Sequence, residues 1–190
     1  MTLTPRLALA ALLALAPLAA AAQEEERPAP LHEATLDQLF DRLKEASERD
    51  ASRIEDEIAD RWSSSGSDSE DLLLLRGRKA MREKDFKRAI GHFSRLIAFN
   101  PDFAEAWNGR ATAYFADEQL GRSLADLYEV LRLEPRHFGA IIGMGLILEM
   151  LDRDEEASKA YEAALAIHPH VEGAEEGLER LRKSVRGEDV

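Results

Sequence analysis

One stretch of 34 residues in the middle of the chain decides the fold. Residues 104–137 read AEAWNGRATAYFADEQLGRSLADLYEVLRLEPRH. The stretch closes near Pro135, and two further prolines, Pro101 and Pro169, lie 34 residues before and after it. The residues that precede each proline repeat in register with it. A period of this length is typical of units that consist of two helices joined by a turn.

The period defines three units, residues 70–103, 104–137 and 138–171. Each first helix carries a large residue, a small or medium residue four places later and another apolar position after three more: Leu73, Gly77 and Ala80; Trp107, Ala111 and Tyr114; Ile141, Gly145 and Leu148. Each second helix carries a small and then a large residue: Ala89 and Phe93; Ser123 and Leu127; Ala157 and Tyr161. Small residues let paired helices approach closely, and the proline ends the second helix.

At these positions the chain resembles the tetratricopeptide-repeat (TPR) family, over about 100 of its 190 residues. Arg76 and Arg110 stand where the family usually has leucine, and Ala80 and Leu148 where it has an aromatic residue, but the period is intact. More narrowly, the chain is similar to small secreted TPR proteins of Gram-negative bacteria. The resemblance implies an all-α, right-handed solenoid of helical hairpins whose task is to bind another protein.

Two segments that flank the repeats also have helical periodicity. Residues 35–63 predict a helical hairpin, with apolar residues Leu36, Leu39, Phe40, Leu43, Ile54, Ile58 and Trp62. We expect this hairpin to pack on the first repeat as an N-terminal cap, because Ser67 stands where a fourth closing proline would fall; a degenerate fourth repeat is the alternative. Ser67 and Glu70 predict a capping box for the next helix. Residues 172–185 predict a C-terminal capping helix that covers the last apolar face.

The N-terminus has the pattern of a secretion signal. Arg6 precedes an apolar run over residues 7–22, and Ala20 and Ala22 suit a signal-peptidase site. We therefore expect residues 1–22 to be a signal peptide cleaved after Ala22, residues 23–34 to be a flexible linker, and the mature protein to be periplasmic or secreted. The run is shorter than a typical spanning helix, although an uncleaved membrane anchor remains the alternative.

Composition and motifs argue against several functional classes. The chain has no cysteine, which excludes disulfides, thiol catalysis and thiolate zinc sites, and its formal charge of −12 argues against nucleic acid and anionic membranes as partners. The histidines at 168 and 170 lack ligand spacing on a helix, and Gly143-Met144-Gly145 lacks the third glycine of a dinucleotide loop. The acidic clusters lie on tails and at helix starts, which argues against paired catalytic carboxylates. The sequence predicts no catalytic residue, no cofactor and no metal.

The remaining candidate site is the concave groove that the first helices of a TPR array line. The resemblance places the following residues there: Asp71, Leu74, Arg78 and Met81 from the first unit; Glu105, Asn108, Thr112 and Phe115 from the second; Gly139, Ile142, Leu146 and Glu149 from the third. Apolar residues that are exposed in such a groove, here Phe115, Ile142 and Leu146, favour a peptide or amphipathic helix as ligand. The alternative is that the N-terminal or C-terminal helix of the chain itself occupies part of the groove.

One TPR subclass clamps the C-terminal carboxylate of its partner with basic and asparagine side chains on successive first helices. Here Asn108 is the only asparagine in such a place, Thr112 stands where a second would be, and Glu105 would repel a carboxylate. The sequence therefore favours a non-catalytic adaptor of the bacterial envelope that holds a peptide or helix without a carboxylate clamp. A self-assembly module and an accessory regulator of a secreted cell-wall enzyme are the alternatives.

Overall fold

The computed structural model describes residues 29–186, and within this range every regular element is helical, which confirms the predicted all-α class. A short 3-10 turn at Leu31–Glu33 precedes nine α-helices: α1 (Leu36–Glu45), α2 (Glu48–Ser63), α3 (Asp68–Arg82), α4 (Phe86–Phe99), α5 (Ala104–Ala116), α6 (Leu120–Leu133), α7 (Phe138–Met150), α8 (Asp154–Ile167) and α9 (Ala174–Arg186). The predicted signal peptide, residues 1–22, and the first part of the linker lie outside the described residues. No helix in the described range is both long and apolar enough to cross a bilayer.

The three predicted repeat units are the hairpins α3–α4, α5–α6 and α7–α8, and they stack in chain order. Within each unit a residue with left-handed backbone joins the two helices: Lys84, Glu118 and Asp152, at φ of 58°, 59° and 56°. The next residue returns a hydrogen bond to the preceding helix, for example from the Asp85 N–H to the Ala80 carbonyl at 2.9 Å. This arrangement satisfies free carbonyl groups at the helix end and sets the sharp turn.

A large residue on each second helix packs between small residues on the two first helices beside it. The ring of Phe93 lies against Gly77 and Gly109; a Cβ atom on Gly109 would come within 2.5 Å of the ring. Tyr161 packs in the same way between Gly145 and Gly177. Because the flanking positions have no side chain, three helices share one aromatic residue, and this contact joins one unit to the next.

The last helix, α9, continues the repeat register. Ala174 and Gly177 lie 34 residues after Ala140 and Gly143, and α9 packs on α8 as α7 packs on α6. The bidentate pair of Arg180 with Glu149, at 2.9 Å for both bonds, ties α9 back to α7. The predicted capping helix thus takes the place of a first helix in the repeat register.

The N-terminal hairpin (α1–α2) does not stack on the first repeat as expected. Its main contacts are between α1 and α8 and between α2 and α5, so it lies across the repeats. Its buried residues, among them Leu43, Ile54 and Ile58, share one apolar cluster with Phe138 of α7. A physical reason is that the outward side of α3 carries Leu72 and Leu75, where the stacked units have alanine and glycine, so a helix cannot approach α3 as closely.

The start of α3 also differs from expectation. Ser67 is the N-cap residue, but its side chain makes no capping hydrogen bond; its hydroxyl instead lies 3.1 Å from that of Ser69. The side chain of Glu70 accepts a bond from Asn100 at 2.8 Å rather than returning to the cap. The capping box forms at α1 instead, between Thr35 and Gln38.

Candidate functional site

The predicted groove residues separate into a part that α2 covers and a part that remains open. We call these the covered half and the open half of the groove. The covered half lies at the C-terminal end of α2: Arg78 and Glu105 are hydrogen-bonded there, and Asp71 and Leu74 line a cavity of about 530 Å³ with Asp60 and Ser63 of α2. The open half includes Asn108, Thr112, Phe115, Gly139, Ile142 and Leu146. Two predicted residues belong to neither: Met81 packs against the core of the first unit, and Glu149 is held by Arg180 and Tyr161.

A hydrogen-bonded chain at the C-terminal end of α2 closes the covered half. Arg78 donates to Ser63 of α2 at 2.9 Å and to Glu105 at 2.7 Å, and Glu105 accepts from Nε2 of His137 at 2.9 Å. Nδ1 of His137 accepts the Ala140 N–H, which leaves the proton on Nε2. Burial raises the pKa of Glu105, but His137 and Arg78 outweigh it and hold this pKa below its usual range. Glu105 is therefore a buried, paired carboxylate.

Trp62, the residue before Ser63, is the aromatic anchor of α2. Its indole ring stacks on His137 with 4.3 Å between centroids and 9° between planes. It also contacts Phe138 at 5.4 Å and Phe40 of α1 at 5.9 Å. Its Nε1 is buried, with no hydrogen-bond partner within the described part of the chain. Trp62 therefore links both helices of the hairpin to the start of α7.

Two histidines after α8 hold the other end of the hairpin. Nε2 of His168, a residue that is 1% exposed, lies 3.2 Å from a carboxylate oxygen of Glu55 on α2. Nε2 of His170 lies 3.0 Å from the carbonyl oxygen of Ala46, between α1 and α2. The contacts at Ser63, Trp62, Glu55 and Ala46 together run from the first unit to the third. The hairpin thus spans the array along its length, and part of the groove is self-occupied.

The open half contains a cleft of about 140 Å³ between α5 and α7. Apolar side chains of Phe115 and Leu146 and polar side chains of Asn108 and Thr112 line it, and Gly143 lets Leu127 form its floor. The Thr112 hydroxyl donates to the backbone carbonyl of Asn108 at 2.9 Å. The cleft thus combines apolar surface with a few polar groups, as peptide-binding grooves do.

Another, larger cavity, of about 570 Å³, lies between α2 and the third unit. Ala51 and Ser52 of α2 form one side, and Gly139, Ile142 and Val171 form the other. It adjoins the open half through Gly139, which lines both cavities. A ligand in the cleft would therefore lie next to α2.

Sequence reasoning did not find the residues that position α2. The sequence indicates no structural role for His137 or His168, but both are buried and face carboxylates of other elements. Trp62 was assigned only to an amphipathic stripe. The one usable signal was the combination of a buried-type aromatic residue at a helix end with histidines beside two of the repeat prolines. In the range that the structure describes, no group of three potential ligand residues could hold a metal ion.

No family model matches the chain. The chain is 40% identical over 153 residues to a TPR repeat-containing protein of Rhizobium etli, an alignment that covers 80% of this chain and 75% of that protein. It is 26% identical to the small glutamine-rich tetratricopeptide repeat-containing protein 2 of Saccharomyces cerevisiae, but spans only 41% of that protein.

Among solved structures, the Sgt2 TPR domain from Aspergillus fumigatus matches with a TM-score of 0.60 and 22% identity, over 63% of this chain and 81% of that one. The first TPR of Spaghetti (RPAP3), bound to the HSP90 peptide SRMEEVD, matches with a TM-score of 0.58 and 23% identity, over 60% of this chain and 91% of that one. At this level of identity the structural likeness establishes the fold.

Proposed function

This chain belongs to the tetratricopeptide-repeat family, and we propose that it is a non-catalytic adaptor that binds a peptide or amphipathic helix of another protein in the open half of its groove. The observation that carries the proposal is the cleft between α5 and α7. There Phe115 and Leu146 are only partly covered by the protein, beside the polar Asn108 and Thr112. Such a surface fits apolar anchor residues of a ligand and polar groups that orient it.

The N-terminal hairpin supports this proposal, because it shows that the inner surface of these repeats accommodates a helix. α2 contributes an aromatic residue, Trp62, and hydrogen-bonding residues, Ser63 and Glu55, to sites on three successive units. A partner that uses the same mode would place its own anchor in the open cleft. It would lie beside α2 or displace it.

The chemistry of the covered half argues against a C-terminal carboxylate as the ligand. The matched structure of Spaghetti (RPAP3) was solved with the HSP90 peptide SRMEEVD. In this chain Arg78, the cation on the inner side of α3, is already paired with Glu105 at 2.7 Å. A carboxylate placed there would meet the buried charge of Glu105, so we propose an internal segment of a protein as the ligand.

The same proposal includes a location in the bacterial envelope. Its support is the apolar run over residues 7–22, followed by the acidic residues at 24–26. Intact-mass measurement of the protein recovered from the periplasm of its host tests this. A mature N-terminus at Gln23 is expected, and a membrane-bound form that retains Met1 would contradict cleavage.

Site-specific substitution tests the groove. In a tagged protein, Phe115→Glu with Leu146→Glu places two charges in the cleft, and Tyr128→Glu places one on α6, where Tyr128 is already 54% exposed. After crosslinking in intact cells, we expect one defined envelope protein to be captured by the unmodified chain and by Tyr128→Glu, and to be lost from the cleft variant. Circular dichroism confirms that all forms are folded.

Equal capture by all three forms would overturn the groove as the binding site. Recovery of the protein with itself alone would favour the self-assembly alternative. Light scattering of the purified protein separates the two cases, because an adaptor remains a monomer as concentration rises and a self-assembling module does not.

A further inference from the structure

The first repeat unit differs in charge from the rest of this acidic chain. Residues 70–103 contain eight Lys and Arg against five Asp and Glu, a net charge of +3. The same count gives −2 for residues 104–137 and −4 for residues 138–171, in a chain whose total is −12. Positive charge is therefore concentrated at one end of the array.

Most of this charge is exposed and unpaired. Five side chains are exposed and have no ion pair in the described range: Arg76, Arg82, Lys84, Lys87 and Arg95. They come from both helices of the unit. The pKa of His92 on α4 is lowered by partial burial and by the guanidinium groups of Arg76, Arg95 and Arg88, so cations from α3 and α4 surround one imidazole. Arg76 of α3 and Arg95 of α4 thus lie on one side of the unit, around His92.

Exposed apolar side chains border this basic surface. Leu72 and Leu75 on α3 are 45% and 57% exposed, and Phe99 at the end of α4 is 74% exposed. The bond between Glu70 and Asn100 places the start of α3 next to the end of α4. Leu72 and Phe99 therefore lie at the same end of the unit. We call the exposed side of α3 and α4 the basic outer face. At its apolar end Leu72 and Leu75 share a cavity with Asp60, Asp68 and Asp71, and the remainder of the face is cationic.

This face is not shaped to receive another repeat. The positions of Leu72 and Leu75 correspond to Ala106 and Gly109 in the second unit, where α4 packs closely. In the third unit they correspond to Ala140 and Gly143. Leucine at these places holds a further helix away, and a symmetric pair of copies would bring two positive faces together. A symmetric dimer through this face is therefore disfavoured.

The net charge of the whole chain argues against anionic membranes as partners, but the first unit departs from that charge. We propose that its basic outer face docks on an anionic phospholipid bilayer. Leucine and phenylalanine side chains that protrude beside arginine and lysine can enter the interface while the cations contact lipid phosphates. The acidic second and third units are repelled by the same bilayer, so the molecule approaches with its first unit. The groove lies on the inner side of the array, and it stays open to a partner in this orientation.

Vesicle sedimentation tests the proposal with the full chain. Binding is measured to vesicles of phosphatidylglycerol and phosphatidylcholine in equal parts and to phosphatidylcholine alone, and the ratio of the two affinities is reported. The apolar run near the N-terminus is common to all forms, so it does not change the ratio between variants. We expect at least about tenfold preference for the anionic vesicles at low salt, falling as salt screens the charges.

The decisive variant is Arg76→Glu with Arg95→Glu, which should reduce the preference to about one. Its matched control is Lys159→Glu with Arg182→Glu, which changes net charge equally on the exposed surface of α8 and α9 and should keep the preference. Leu72→Ser with Leu75→Ser should weaken binding to anionic vesicles without changing its salt dependence. Circular dichroism confirms folding in each case.

Absence of a preference for anionic vesicles, or an equal loss in the Arg76 and Lys159 variants, would overturn the proposal. A labelled polyglutamate peptide distinguishes the other possible ligand of a basic surface. If that peptide binds and is lost with Arg76→Glu and Arg95→Glu while vesicles do not bind, the face recognises acidic polypeptides instead of lipid.

Discussion

Two sets of contacts hold this molecule together, and they differ in kind. The repeat units join through the same apolar contact each time, a large residue such as Phe93 or Tyr161 between small residues of neighbouring helices. The N-terminal hairpin joins the array through a shared apolar cluster without repeat register, and through polar and aromatic contacts that occur once each, at Trp62, Glu55 and Ser63. Periodic apolar packing builds the scaffold, and non-periodic contacts decide what lies in its groove.

The two sets of contacts also differ in their contribution to stability. Nearest-neighbour contacts of a repeat array carry its cooperative stability. The hairpin contacts leave Nε1 of Trp62 buried without a partner in the described structure, a cost of roughly 1–3 kcal/mol. We therefore expect the hairpin to open before the repeats do. Four substitutions test the contribution of individual contacts in the two regions, from the largest effect to the smallest.

Phe93→Ala should destabilise the protein by about 3–5 kcal/mol, because it removes a fully buried ring that three helices share. The matched control on the same helix is Phe99→Ala, where the ring is 74% exposed and the change should stay within about 0.5 kcal/mol. Urea denaturation measures both. Similar losses at the two positions would mean that the shared ring does not carry the stacking.

Trp62→Ala should destabilise the docking of the hairpin on the repeats by about 2–3 kcal/mol, without destabilising the repeats themselves. Hydrogen exchange of residues 36–63 should accelerate, while α4 to α8 keep their protection. Arg53→Ala, an exposed change on the same helix, serves as control. If the repeats lost protection together with the hairpin, the two regions would form one cooperative unit and the distinction between them would fail.

Gly109→Ala should destabilise by about 1–3 kcal/mol, because the new methyl group would meet the ring of Phe93. The expected loss of stability is opposite in sign to the ordinary gain of up to about 1 kcal/mol for alanine over glycine in a helix. Gly121→Ala on α6 has open space around it and should show that gain. Thermal unfolding of the pair checks the sign, and stabilisation at both positions would contradict the close packing.

Glu149→Gln should lower stability at neutral pH by no more than about 1 kcal/mol, since the pair with Arg180 is partly exposed. The hydrogen bond from Arg180 lowers the pKa of Glu149. Burial raises this pKa, and the hydrogen bond from the Tyr161 hydroxyl lowers it further. A lowered pKa means that the stabilisation is present above the ordinary carboxyl pKa and is lost as pH falls through the folded one. Wild type and variant should therefore converge in acid. A constant difference across the pH range would contradict this.

The sequence predicts the periodic part of the molecule well, for a physical reason. Stacking depends on residue size at fixed spacing, and the register of Gly77, Phe93 and the closing prolines is visible in the chain itself. The same register places α9 on α8, although the helix was interpreted only as a cap. The left-handed turn residues at Lys84 and Glu118 carry no sequence signal, because neither residue type is enriched at positive φ; Asp152 is the one of the three whose type is enriched there.

The position of the hairpin could not be predicted in the same way. Its apolar stripe specifies that one side is buried, but not against which element. The choice depends on single contacts between residues more than 70 positions apart, such as Trp62 with His137 and Glu55 with His168. The division of the groove into two halves follows from these contacts, so the sequence predicts the candidate residues as one set and not their separation.

The position of α2 is the claim on which both the open cleft and the basic outer face depend, and thiol crosslinking tests it directly. The chain has no cysteine, so Ser52→Cys with Gly139→Cys creates a unique pair on opposite sides of the cavity between α2 and α7. A short bismaleimide should join them within one molecule, while Ser52→Cys with Leu72→Cys should remain unjoined. Crosslinking of the second pair and not the first would show that the hairpin caps the first repeat, and would contradict the account.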